Sequence, residues 1–146
     1  MKHSVSALLL LASTQLGWAE SNDFKPDGAT ITIAAYHENA KRDFETFIPG
    51  ALIRWDILNY ASVNAGVFRN SFGKWAPTVL GCSTYPIVPK FDIGTGGCLG
   101  ATRYDKWRLM GNLHVKSHGV SVNYTPTFGK FEETDDIWSL SYGFDF

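Results

Sequence analysis

No stretch of the 146-residue chain reaches the roughly 18 consecutive apolar residues of a membrane-spanning helix. No charge dominates either: charged residues are 18% of the chain and the formal net charge is −1. That excludes the concentrated basic surface on which nucleic-acid binding depends. The four histidines are scattered and make no His-x-x-x-His pair, which argues against a zinc site. Gly94-Thr95-Gly96-Gly97 precedes no helical pattern, so no phosphate-binding loop is present. There is no internal repeat, and no cofactor is expected.

What is present is alternation. In the last ten residues Trp138, Leu140, Tyr142, Phe144 and Phe146 fall on every second position, separated by Ser139, Ser141, Gly143 and Asp145. A period of two sends the aromatic set to one face of a strand and the small or acidic set to the other. In a soluble sandwich the polar face would meet water. In an outer-membrane barrel the apolar face meets lipid and the polar face lines the lumen. A final strand ending on an aromatic, Phe146, resembles the assembly signal of bacterial outer-membrane barrels, with Leu140, Tyr142, Phe144 and Phe146 as its residues. This favours the membrane arrangement.

The start of the chain agrees. Lys2 and His3 precede an apolar run over residues 7–12, too short to span a bilayer, and Gly17 and Ala19 are small residues where signal peptidase reads. The expectation is a signal peptide over residues 1–19 and an exported barrel domain over residues 20–146, long enough for one domain. No cysteine follows the apolar run, so no lipid anchor is expected. The two cysteines, Cys82 and Cys98, flank one predicted turn in a chain bound for an oxidising compartment. They pair if they lie opposite each other on one face; otherwise they are two small buried thiols.

Taken in order, the chain reads as eight strands, an all-β, antiparallel, up-and-down transmembrane barrel. The strands are expected near residues 30–36, 50–57, 63–70, 76–84, 91–102, 107–116, 120–124 and 137–146. Charged loops at residues 38–46 and 127–136 fall on the outward side, where such barrels keep their longer loops. Tyr60, Tyr85 and Phe146 would mark the inner interface, and Trp75, Trp107 and Trp138 the outer one.

The polar series places Arg54, Asp56, Asn64, Asp92, Arg108, Asn112, His114, Lys116, Asn123 and Asp145 in the lumen. Eight strands leave an interior that side chains just fill, so these residues are expected to neutralise one another in a polar plug. Two clusters carry residue types suited to chemistry. His114-Val115-Lys116-Ser117-His118 places a hydroxyl near imidazoles, at the inner rim. At the outer rim His37, Asn39 and Glu45 face Arg69, Asn70 and Ser71, offering a base, a hydroxyl and a carboxylate.

Short stretches carry a family likeness: Ala35-Tyr36-His37, Ile48-Pro49-Gly50, residues 66–73, residues 119–126, and the aromatic-ended last strand. With these the chain resembles the small outer-membrane barrels of Gram-negative bacteria and their phages, distantly similar to lipid A deacylases. Those deacylases carry a His-x-Ser-Asn motif; here the spacing is His-x-x-Ser-His, so the likeness implies the fold more firmly than the reaction. The expected partners are outer-membrane lipid, lipopolysaccharide and the barrel assembly machinery, with the protein a monomer. The sequence favours a non-catalytic surface or structural protein whose outward loops contact lipopolysaccharide, phage or host molecules. The alternatives are a lipid A-modifying acyl hydrolase, using Ser71 with His37 or Ser117 with His114 or His118, and a soluble periplasmic lipocalin-like carrier.

Overall fold

The computed structural model describes residues 25–38, 43–103, 106–126 and 136–146. The leader, Asn39 and residues 127–135 of the second charged loop lie outside them. The strands are β1 (Gly28–His37), β2 (Phe47–Leu58), β3 (Ala61–Arg69), β4 (Trp75–Val88), β5 (Ile93–Arg103), β6 (Trp107–Ser117), β7 (Val120–Pro126) and β8 (Asp136–Asp145). They pair antiparallel in chain order, and β1 pairs with β8, so the sheet closes into an eight-stranded barrel. One rim carries the connections after β1, β3, β5 and β7, here called the loop rim. The other, the turn rim, carries the tight connections and both Gly28 and Asp145.

The two-residue period sorts side chains between two environments. On β4, Thr78, Leu80, Cys82 and Thr84 line an interior cavity, while Trp75, Val79 and Tyr85 are exposed. The exterior is the more apolar side. Leu109 is 79% exposed and Leu113 is 62% exposed, whereas the buried apolar residues among those described are Ile48, Leu52, Leu80 and three alanines. Tyr60 and Tyr85 meet ring to ring at 5.3 Å near the turn rim. Trp75, Trp107 and Trp138 are exposed near the loop rim.

Two expectations need correction. β4 runs on through Tyr85 and Pro86 to Val88, and only then does a short 3-10 turn, Pro89–Phe91, reverse the chain. Asp92 belongs to that turn rather than to the lumen. It adopts a left-handed backbone (φ 51°), and its carboxylate accepts a hydrogen bond from the His118 N–H at 3.0 Å. A short acidic side chain tolerates this conformation and bonds neighbouring backbone, which suits it to a turn. Farther along the same hairpin, Cys82 and Cys98 pair across β4 and β5 and are joined by a disulfide.

The seam between first and last strands carries an ionic staple. Gly28 lies in register with both Arg54 of β2 and Asp145 of β8. Lacking a side chain, it lets the Arg54 guanidinium cross over β1 and pair with Asp145, while the same guanidinium pairs with Asp56 at 3.0 Å. A Cβ at Gly28 would stand 3.0 Å from Arg54 Nη2 and press on the Phe144 carbonyl, which is backbone and cannot swing away. Gly28→Val is therefore expected to destabilise the barrel by about 1–3 kcal/mol through overpacking. Arg54→Ala should cost less, about 1 kcal/mol, because Asp145 is 81% exposed and can be solvated alone. Urea unfolding midpoints of the two variants test that order.

Candidate functional site

The feature that builds a site at the loop rim is an irregularity in β1. Thr32 pairs with Ser141 of β8, but Ala34 already pairs with Leu140, so β1 carries one extra residue against its neighbour at Ile33. On the other side the β1–β2 register slips at the same height, where β2 carries Pro49, which has no N–H to give the ladder. Below the slip Thr30 and Thr32 line the cavity; above it Ala35 and His37 do, and Tyr36 turns outward, 62% exposed. Without the bulge, strict alternation of this same sequence from Thr32 onward would have left His37 on the outside.

Turned inward, the imidazole meets Ser71 just beyond the end of β3: His37 Nε2 and Ser71 Oγ lie 2.5 Å apart. With its proton on Nδ1, the ring accepts the serine hydroxyl at Nε2. Ser71 is presented by a tight loop organised by Asn70, whose side chain is almost wholly buried. Asn70 Oδ1 accepts from the N–H groups of Phe72 and Lys74, each at 3.0 Å. The Asn70 N–H donates to the Lys74 carbonyl, and Gly73 closes the loop with φ +75°, a conformation that favours glycine. The Phe44 ring stacks on His37 with centroids 4.2 Å apart and meets Phe72 edge-on at 5.7 Å. Glu45 completes the group by pairing with Arg69 at 2.8 Å, not with the histidine. The His37 Nδ1 is buried without a hydrogen-bond partner among the described residues.

So the outer cluster read from the sequence does assemble around His37, Ser71, Asn70, Arg69 and Glu45, but its carboxylate serves the arginine. Phe44 and Phe72 were not singled out in the sequence. A hint was there, since Ala34-Ala35 interrupts the alternation immediately before Tyr36-His37.

Below the dyad the barrel is not plugged. A cavity of about 540 Å³ runs through the lumen. The expected filling fails because many inward positions carry short side chains: Thr30, Thr32, Ser121, Ser139 and Ser141 leave space where longer side chains would meet. Toward the loop rim its wall includes Ile48, Leu52, Phe68, Leu80, Met110 and Ile137. Toward the turn rim it is polar, with Arg54, Asn64, Thr84, His114 and Lys116. Many polar residues there are satisfied pairwise. Asn64 Nδ2 donates to Ser62 Oγ at 3.1 Å, Asn123 Nδ2 to Ser141 Oγ at 3.1 Å, and His114 Nε2 bonds Thr84 Oγ1 at 2.8 Å. Asn112 Oδ1 is buried with no hydrogen-bond partner among the described residues. Arg108 belongs to the same inward series of β6 as Asn112 and His114. The β6–β7 ladder begins only at Leu113 and Tyr124, so among the described residues the upper half of β6 has no β7 partner; the cavity reaches Leu109, Gly111 and Pro126 there.

The second cluster is a turn. Ser117 Oγ bonds His118 Nδ1 at 2.9 Å and also lies 3.3 Å from the Phe91 carbonyl, while His118 has φ +49°. His114, the other imidazole of that stretch, is engaged with Thr84. Among the described residues no group of three histidine, cysteine, aspartate or glutamate side chains gathers to hold a metal. No protein-family model matches this chain, and no curated protein matches it.

Proposed function

We propose that the protein is an outer-membrane enzyme that cleaves acyl esters of outer-leaflet lipid, with Ser71 as nucleophile and His37 as general base. The observation that carries the reading is the 2.5 Å contact between His37 Nε2 and Ser71 Oγ at the mouth of a partly apolar cavity. A serine hydroxyl is a poor nucleophile at its own pKa and is activated by an adjacent base. Ser71 Oγ attacks the ester carbonyl carbon while its proton passes to His37 Nε2. The tetrahedral intermediate then collapses, the ester C–O bond breaks, and His37 returns the proton to the departing alkoxide. Water, deprotonated by His37, attacks the acyl-serine, releasing a fatty acid and restoring the hydroxyl.

The membrane setting is supported by the exterior. Leucines, valines and aromatics dominate the outward series, as lipid requires, whereas a soluble lipocalin-like carrier keeps its apolar side chains inside. In this reading residues 1–19 direct export, the aromatic last strand is handled by the barrel assembly machinery, and the loop rim with its dyad faces lipopolysaccharide. Lipid A is the natural ester donor there. The apolar upper cavity suits an acyl chain. The likeness to lipid A deacylase barrels then extends to the reaction but not to the residues, since histidine and serine come from separate strand ends.

Mass spectrometry of lipid A from cells with and without the protein is the test. Loss of an acyl chain with the intact protein, absent with Ser71→Ala at equal outer-membrane level, is the expected result. Heat-modifiable gel migration reports folded barrel in both samples. Unchanged lipid A in cells with abundant folded barrel would return the protein to the interaction reading, with its outward loops contacting lipopolysaccharide, phage or host molecules.

A further inference from the structure

We infer that Arg69 is the positioning residue of this site, holding the first loop onto the serine loop so that His37 and Ser71 stay in register; the inference rests on the acyl-cleaving reading. Arg69 ends β3, one residue before the loop that presents Ser71. Its Nη2 donates to Glu45 Oε1 at 2.8 Å and its Nε to the Gly73 carbonyl at 3.3 Å. One planar guanidinium therefore grips both segments, which its fixed fork of donors allows and an ammonium does not. A backbone bond runs parallel to it, from the Glu45 N–H to the Ser71 carbonyl at 3.2 Å. The residue before Glu45 is Phe44, the ring stacked on His37. Gly73 leaves room for the pair: a Cβ there would stand 3.1 Å from Glu45 Oε1 and 3.3 Å from Arg69 Nη2.

The chain of contacts gives the imidazole an orienting element other than a carboxylate. No carboxylate reaches His37 Nδ1 among the described residues. The ring plane is set instead by Phe44, and Phe44 is set by Glu45 and Arg69. Arg69 touches neither reacting atom and acts through the geometry of the two loops.

The test uses the full chain in detergent and an alkyl fluorophosphonate probe. Labelling forms an Oγ–P bond at Ser71, breaks the P–F bond, releases fluoride, and passes the hydroxyl proton to His37. Arg69→Met is expected to label about 100-fold more slowly, the loss that a misplacement of about 1 Å causes, with its boiled-versus-unboiled gel shift retained. Arg69→Lys should fall between, because one ammonium cannot serve both acceptors well. Glu45→Gln, which keeps an acceptor but no charge, should slow labelling several-fold. Both partners are about 40% exposed, so salt reaches them. Labelling of the parent should slow as salt rises toward about 1 M, while Arg69→Met stays slow and flat. A purely structural role would not produce that salt signature. Parent-like labelling of folded Arg69→Met, or equal salt dependence in both, overturns the inference alone. A parent that does not label, or labels equally as Ser71→Ala, overturns the acyl-cleaving reading and this inference with it.

Discussion

Ser71→Ala and His37→Ala should each lower the rate of fatty-acid release by about 1,000-fold or more, and the double variant should be no slower than the singles. Groups that act as one unit lose their whole contribution when either is removed, which makes such effects grossly non-additive. The 2.5 Å contact between the two side chains is what makes them one unit here. The measurement is release from a short-chain ester in detergent, with the folded fraction followed by gel shift. Ser117→Ala serves as the control. Its hydroxyl is already shared between His118 and the Phe91 carbonyl in an exposed turn, so its removal should leave the rate within about 2-fold. Losses that multiply in the double variant would mean that the serine and the histidine act separately, and the dyad would have to be abandoned.

Removing the disulfide should produce the largest change in stability. Cys82 and Cys98 are 16 residues apart and face each other directly across β4 and β5. Closing a loop of that length in the unfolded chain is worth about 3 kcal/mol at room temperature. That exceeds the staple at Arg54, whose partner lies in water. The double variant Cys82→Ser/Cys98→Ser is expected to unfold at a clearly lower urea concentration, and reduction of the parent should give the same shift. Activity per folded molecule should hold, because the crosslink joins β4 to β5 while the dyad comes from the end of β1 and the β3–β4 loop. An unchanged urea midpoint would mean that the paired strands alone restrain the hairpin as tightly as the crosslink does.

Most of the fold was legible because the barrel's chemistry has a period of two. Trp138 to Phe146 announced the last strand, and Ala51, Ile53, Trp55 and Ile57 the second, since each series is sorted by the same exterior. Leu52 falls on the same side of β2 as Arg54 and fits there because the upper cavity is apolar. The strand ends were less legible. Pro86 and Pro89 look alike as turn residues, yet the first still sits in the ladder opposite Gly94. Asp92 looked like an inward charge because its parity was counted through a turn. The outer cluster was legible as residue types, but its geometry was not: nothing in the local sequence says that Glu45 would choose Arg69. The unfilled lumen was hidden for a different reason. Side-chain volume is summed across strands far apart in the chain, and no single strand reveals the deficit.

The extra residue at Ile33 has a genetic reading. Deleting the Ile33 codon removes the bulge and leaves Ala34, Ala35, Tyr36 and His37 opposite the β8 residues they already face, so the imidazole stays inward on a regular strand. Adding one residue between Thr32 and His37, with only the present bulge to absorb it, would instead turn the imidazole outward and the phenol inward. Insertions in this strand, more than substitutions, are where reactive and inert descendants of such a barrel would part.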